Sequence, residues 1–88
     1  MFKIKLVANN KVILDNILSE NAVKAMAEID DVNDISYDVF ANIKLNHKCI
    51  EFAKQIMKNH FLDNAKLYIT NSYFEEPTYE EFDLSITK

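Results

Sequence analysis

Side chains able to act as nucleophile, base or metal ligand are few in this chain. There is one cysteine, Cys49, two histidines, His47 and His60, and two adjacent carboxylate pairs, Glu75-Glu76 and Glu80-Glu81. A cysteine–histidine dyad needs its members within hydrogen-bond reach. Cys49 and His60 fall on one predicted helix, roughly 16 Å apart at a rise of about 1.5 Å per residue. His47 and Cys49, two positions apart, point to different helix faces. A zinc site from His47, Cys49 and His60 would require His47 to leave the helix and the chain to refold around it. Among Phe52, Ala53 and Ile56, Cys49 reads as a small buried hydrophobe, and His60 as a side chain that complements the helix dipole. Adjacent carboxylates on an extended chain point to opposite faces. Nothing apolar in the sequence encloses them to raise one pKa for general acid work. No catalytic residue, metal site or cofactor is assigned, and the chain is expected not to be an enzyme.

The chemistry left is binding, and it is concentrated. Tyr73-Phe74-Glu75-Glu76-Pro77-Thr78-Tyr79-Glu80-Glu81-Phe82-Asp83 holds five carboxylates and four aromatics around the only proline. Residues 1–66 carry nine lysines against nine acids, whereas residues 67–88 carry five acids against Lys88, which is the whole net charge of −4. One explanation is a solvated turn between edge strands, with Pro77 fixing the turn and Tyr79 and Phe82 buried. The functional alternative is a binding surface, with rigid aromatic area as anchor and acids that steer toward a basic partner. The residues expected to bind are Tyr73, Glu75, Glu76, Tyr79, Glu80, Glu81 and Asp83.

Composition excludes several classes. Glycine is absent, so phosphate loops, dinucleotide fingerprints and nucleophile elbows, which need close backbone approach or positive φ, have no residues to build them. Arginine is absent too, and all ten cations are lysine. Without the bidentate fork that reads guanine and clamps phosphate, and with net negative charge, direct nucleic-acid binding is disfavoured. Asp30-Asp31-Val32-Asn33-Asp34 lacks the glycine and distal glutamate of a calcium loop and reads as a solvated loop. The richness in Lys, Asn and Ile points to an AT-rich coding genome, such as that of a low-GC bacterium or its phage. No apolar run approaches the roughly 20 residues that span a bilayer. The alternating N-terminus is unlike a signal peptide, and the lone cysteine suits a reducing compartment. A cytoplasmic protein is expected.

The elements that must position these residues follow from periodicity. Phe2, Ile4, Leu6 and Ala8 alternate with Lys3, Lys5 and Val7 as a half-buried strand. Asn9-Asn10 is a turn, because asparagine tolerates left-handed backbone. With Lys11 counted into the turn, Val12 to Leu18 returns as a second strand, setting Ala8 against Val12, Leu6 against Leu14 and Lys5 against Asp15. The competing assignment starts a helix at Asp15, with Leu18, Ala22, Ala25 and Ile29 as its stripe. The hairpin is preferred, with Ser19 capping a helix over Glu20 to about Ile29. Ile35, Tyr37, Val39, Ala41, Ile43 and Leu45 alternate with polar residues over eleven positions, which predicts a strand with Phe40 on its wet face as a cross-strand packing residue. Asn46 is expected to cap a second helix, His47 to about Leu62, with Cys49, Phe52, Ala53, Ile56 and Met57 as its stripe. Strands follow at Lys66 to Tyr73 and through Phe82, Leu84 and Ile86.

The expected fold is one α+β domain over residues 1–88. It is a two-layer sandwich in which two helices cover a four- to five-stranded, mixed or mainly antiparallel sheet, in the order ββαβαββ. The expected function is a non-enzymatic protein-binding module. Its acidic aromatic patch would occupy the basic, nucleic-acid-binding surface of a partner, with carboxylates standing in for phosphates. Small acidic phage inhibitors, anti-CRISPR proteins among them, share this size and charge. The alternative is a structural or regulatory module that assembles as a homodimer through exposed strand edges and Phe40.

Overall fold

A computed structural model describes residues 1–73 and 76–86. Strands β1 (Phe2–Ala8) and β2 (Lys11–Leu18) lead to helix α1 (Glu20–Ala27), a 3-10 helix (Val32–Ser36), helix α2 (Val39–Asn59) and strands β3 (Asn64–Asn71) and β4 (Thr78–Ser85). The four strands form one sheet in the order β2-β1-β3-β4, and every neighbouring pair is antiparallel. The α+β class, the antiparallel sheet and the two helices are as the sequence predicts.

The hairpin forms where expected. Asn9 and Asn10 both take positive φ, 52° and 63°, the geometry of a tight two-residue turn. Leu6 pairs with Leu14 and Lys5 with Asp15 as predicted, but Ala8 meets Lys11 and Val7 meets Val12. A bulge between Leu6 and Val7 leaves Ile13 without a partner and absorbs the difference. Ser19 caps α1, its Oγ accepting the Ala22 N–H at 3.1 Å.

The strand predicted over Ile35–Leu45 does not form. Ile35 lies in the 3-10 helix, and residues 39–45 are the first two turns of α2, a helix of 21 residues. Asp38, not Asn46, is its N-cap: Asp38 Oδ1 accepts the Ala41 N–H at 3.1 Å. The misleading pattern has a physical origin. Ala41 and Leu45 belong to one four-residue stripe and Val39 and Ile43 to another, offset by two residues or about 200° around the helix. Two apolar stripes on opposite faces of a helix produce the same alternation as one face of a strand. Phe40 accordingly has no cross-strand role and stands 75% exposed on the first turn of α2.

The core lies between the helices and one sheet face. Phe2, Ile4, Leu6 and Ala8 of β1 and Ala65, Leu67 and Ile69 of β3 are buried beneath Val23 and Ala27 of α1 and Ala41, Leu45, Cys49, Ala53 and Met57 of α2. Fully burying a side chain of leucine size is worth roughly 1.5–3 kcal/mol, so these positions dominate the stabilising side of the balance. Ile43 and Leu45 decide between helix and strand, because a strand would place both on one face. Ile43 is 58% exposed and Leu45 fully buried. Leu45→Ala is therefore expected to cost about 2–5 kcal/mol and Ile43→Ala within about 0.5 kcal/mol, read by urea denaturation. Comparable losses at both positions would reinstate the strand.

With no glycine, the left-handed positions among the described residues fall to Asn9, Asn10, Glu28 and Phe61. Phe61 follows α2 in a closing motif in which the Phe61 N–H donates to Lys58 O at 3.2 Å and the Leu62 N–H to Met57 O at 2.8 Å. Left-handed backbone costs a non-glycine residue roughly 1–2 kcal/mol, and glycine gives back about 0.4–1 kcal/mol in unfolded-state entropy. The Phe61 ring is 94% exposed, so little packing is lost with it. Phe61→Gly is expected to stabilise the fold by about 0.5–1 kcal/mol, visible as a rise in Tm.

Candidate interaction surface

The sheet has one covered and one open face, and β4 divides the acidic stretch between them. The strand begins at Thr78, four residues earlier than Phe82, so Tyr79, Glu80 and Glu81 are strand residues and not a turn. Register assigns each side chain. Thr70 pairs with Tyr79, Tyr68 with Glu81 and Lys66 with Asp83, all on the open face, whereas Ile69 pairs with Glu80 on the helix-covered face. Glu80 Oε2 accepts a hydrogen bond from Asn46 Nδ2 of α2 at 3.0 Å. The expected separation of Glu80 from Glu81 is what the strand produces.

The open face is balanced in charge. Lys66 Nζ lies 3.0 Å from Glu81 Oε1, and Lys3 Nζ lies 3.3 Å from Asp15 Oδ1. By register this face carries Lys3, Lys5 and Lys66 against Asp15, Glu81 and Asp83, three against three. The hydrogen bond and charge of Glu81, then the charges of Asp83 and Tyr68, raise the Lys66 pKa. The Tyr68 and Tyr79 rings meet at 5.9 Å between centroids, tilted by 34°. Burial, then Tyr68 and then Glu81, raise the Tyr79 hydroxyl pKa. Carboxylates crowded in sequence are thus interleaved with lysines from β1 and β3 in space.

Of the other predicted binding residues, Tyr73 packs half-buried against the core. Its N–H donates to Asn71 Oδ1 at 2.9 Å, and its carbonyl accepts the Ser36 hydroxyl at 2.7 Å. Burial and then Glu20 raise its hydroxyl pKa. It ties the chain leaving β3 to the 3-10 helix. Glu76 is exposed just before β4, and Glu75 lies outside the described residues. Tyr79, Glu81 and Asp83 therefore share one face, Glu80 faces the other way, and Tyr73 is a packing residue.

A second surface was not singled out by sequence reasoning. Tyr37, Val39, Phe40 and Ile43 are 86%, 68%, 75% and 58% exposed. They lie together at the start of α2, where the helix flank passes β4. Between that flank and β4 runs a groove of about 250 Å³, with Phe2 and Ile69 among its lining and Tyr37, Val39, Asn42, Asn46, Thr78 and Glu80 along it. A shallower hollow formed by Asp34, Tyr37, Asp38, Val39 and Phe40 adjoins it. Asp34, Asp38 and Glu80 border these hollows, and no described lysine lines either. The alternation that mimics a strand was the available signal, because in a helix it sets apolar residues on opposite faces and so leaves one set uncovered.

The nucleophile candidates stay apart. His47 is exposed, with Nε2 2.8 Å from Glu51 Oε1, His60 caps the end of α2, and Cys49 is fully buried. Burial pushes the Cys49 thiol up to about 12, which leaves a thiolate fraction on the order of 10⁻⁴ at pH 8. Alkylation of the native protein by iodoacetamide at pH 8 is expected to be slower than for a free cysteine by two orders of magnitude or more. In denaturant the rate should become that of a free thiol. Native labelling as fast as denatured labelling would show that the thiol is accessible.

No described helix is long and apolar enough to cross a membrane. No family model, curated protein or solved structure matches the chain.

Proposed function

We propose that this chain is a non-enzymatic protein-binding module that takes a basic partner on the side bounded by β4 and the start of α2. The observation that carries this is the exposed set Tyr37, Val39, Phe40 and Ile43, bordered by Asp34, Asp38 and Glu80 with no described lysine lining the hollows between them. Contiguous exposed apolar area rimmed by polar residues marks an interaction site. The aromatics supply desolvated anchor area and the acids steer and select. On the open face Tyr79 adds aromatic area beside Glu81 and Asp83, which share that face with Lys66, and Glu76 adds an exposed acid just before β4.

A partner whose basic surface exists to hold nucleic acid fits this chemistry. Occupying that surface would make the chain an inhibitor, the mode of small acidic anti-defence and anti-CRISPR proteins of phage. The net charge of −4 supports that form. Strict imitation of a phosphate row has less support, because Glu81 and Asp83 share their face with Lys66. The apolar anchor, with acids as its border, is the better-supported means of recognition.

The test is capture of a partner from a low-GC host lysate at low salt, followed by measured binding to the purified partner. Affinity is expected to fall steeply between about 50 and 500 mM salt. The triple variant D34N, D38N and E80Q, which keeps a capping side chain at Asp38, is expected to weaken binding about tenfold or more, as is V39S with I43S. Affinity insensitive to salt and to both sets would remove the proposal. A chain that sediments as a dimer through the Phe40 surface would favour self-assembly instead.

A further inference from the structure

The two edges of the sheet are not equivalent. β2 is interrupted by the bulge that leaves Ile13 unpaired, a common guard against strand addition. β4 pairs with β3 in unbroken register over eight residues, from Asn64 opposite Ser85 to Asn71 opposite Thr78, and among the described residues no strand pairs with its other edge. Beside that edge, the α2 flank carries Val39 and Ile43, both more than half exposed. The groove between them is lined by Asn46, Thr78 and Glu80. Neighbouring strands lie about 4.8 Å apart, so the next strand position falls beneath that flank.

From this geometry we infer that the free edge of β4 receives an extended segment of another protein as a fifth strand. One set of its alternating side chains is apolar and covers Val39 and Ile43, and the other is basic and faces Glu81 and Asp83. The inference rests on the protein-binding function proposed above and specifies its mode. Strand addition supplies main-chain hydrogen bonds for affinity and side-chain alternation for specificity.

The charges on β4 decide the occupant. A second copy adding antiparallel, with its helices on the same side, must centre the pairing on one residue of the strand. Every register that overlaps at least five residues of the strand centres on residue 80, 81, 82 or 83, which sets Glu80 against Glu80, Glu81 against Glu81, Glu81 against Asp83, or Asp83 against Asp83; centring on 79 or 84 overlaps only three residues. Like charges directly opposite are destabilising. The strand thus rejects itself in every extended register while remaining regular enough to pair. Charges placed only to guard the edge would not explain the apolar flank beside it. A basic extended segment satisfies both features, and a lysine-bearing strand would share Glu81 with Lys66.

The test uses the full chain and synthetic eight-residue peptides that alternate lysine with valine, or glutamate with valine. A third peptide repeats the lysine sequence with alternate backbone nitrogens methylated. The lysine peptide is expected to slow amide exchange in Thr78–Ser85 by about tenfold or more at saturation and to shift the Val39 and Ile43 methyl resonances. The glutamate peptide, the methylated peptide and the V39D/I43D variant should each bind at least tenfold more weakly. If the methylated peptide binds equally well, charge alone is at work: strand addition is wrong while the protein-binding function stands. Equal binding of the glutamate peptide overturns both. Shifts centred on Tyr68 and Lys5, protection of β4 in the free chain by self-association, or no binding up to about 1 mM peptide overturn strand addition.

Discussion

The structure depends on how α2 meets the sheet. Its buried residues, Ala41, Leu45, Cys49, Ala53 and Met57, repeat at a strict interval of four. Each such step overshoots a full turn by about 40° at 100° per residue, so the buried line winds about 160° around the helix from Ala41 to Met57. A sheet that twists along its length presents a contact line that also rotates. Ala41, Cys49 and Ala53 are small enough for the helix to lie close to Phe2, Ile4, Leu67 and Ile69. Everything else in the helix layer adapts to this contact. α1 packs beside α2 and is tied to it at the surface by Lys44 Nζ, 2.8 Å from Glu28 Oε2. The winding also means that the angular position buried at Met57 is exposed at Val39, so Val39 is left uncovered at the N-terminal end of the helix.

Much of the fold was legible because local rules and burial agree there. β1 alternates cleanly since one face meets the helices and the other meets water, and its hairpin needs a turn that Asn9-Asn10 can make. Ser19 marked the start of α1 for the same reason: an orphan N–H needed a nearby oxygen. The failure at residues 35–45 came from the absence of that agreement. Period two is a valid strand signal only where the element has a single apolar face, and α2 has two in its first turns. Asp38 satisfies the helix start as well as Asn46 could, so capping chemistry could not arbitrate. Local rules tend to break at functional sites, and the break here coincides with the exposed flank.

The candidate site was legible in its chemistry but not in its geometry. Sequence crowding makes Glu75 to Asp83 look like one acidic patch. Strand alternation then separates Glu80 from Glu81 and Asp83, and antiparallel pairing brings Lys66 across to the latter two. Neither effect is visible without knowing where β4 begins and which strand lies beside it. The acids whose hollows no described lysine lines are Asp34 and Asp38, joined by the Asp38 N–H to Asp34 O hydrogen bond, and Glu80 of β4, which Asn46 of α2 reaches.

Stability does not account for Tyr37, Val39, Phe40 and Ile43. Each is more than half exposed, so a polar replacement would cost the folded state little, and surface substitutions of this kind usually fall within about 0.5 kcal/mol. Solubility argues against them, since contiguous apolar area promotes association. Helix propensity does not favour Val39, Phe40 or Ile43 either, because valine, phenylalanine and isoleucine rank below leucine, lysine and glutamate. Solubility thus favours polar residues at all four positions and helix propensity at the three inside α2, while stability is nearly indifferent, yet the chain keeps apolar residues at all four. Covering them would bury area worth roughly 1–2 kcal/mol per side chain, which is the scale of an interface anchor. Their retention beside an uninterrupted, acid-bearing edge is what a binding surface requires and what the fold alone does not.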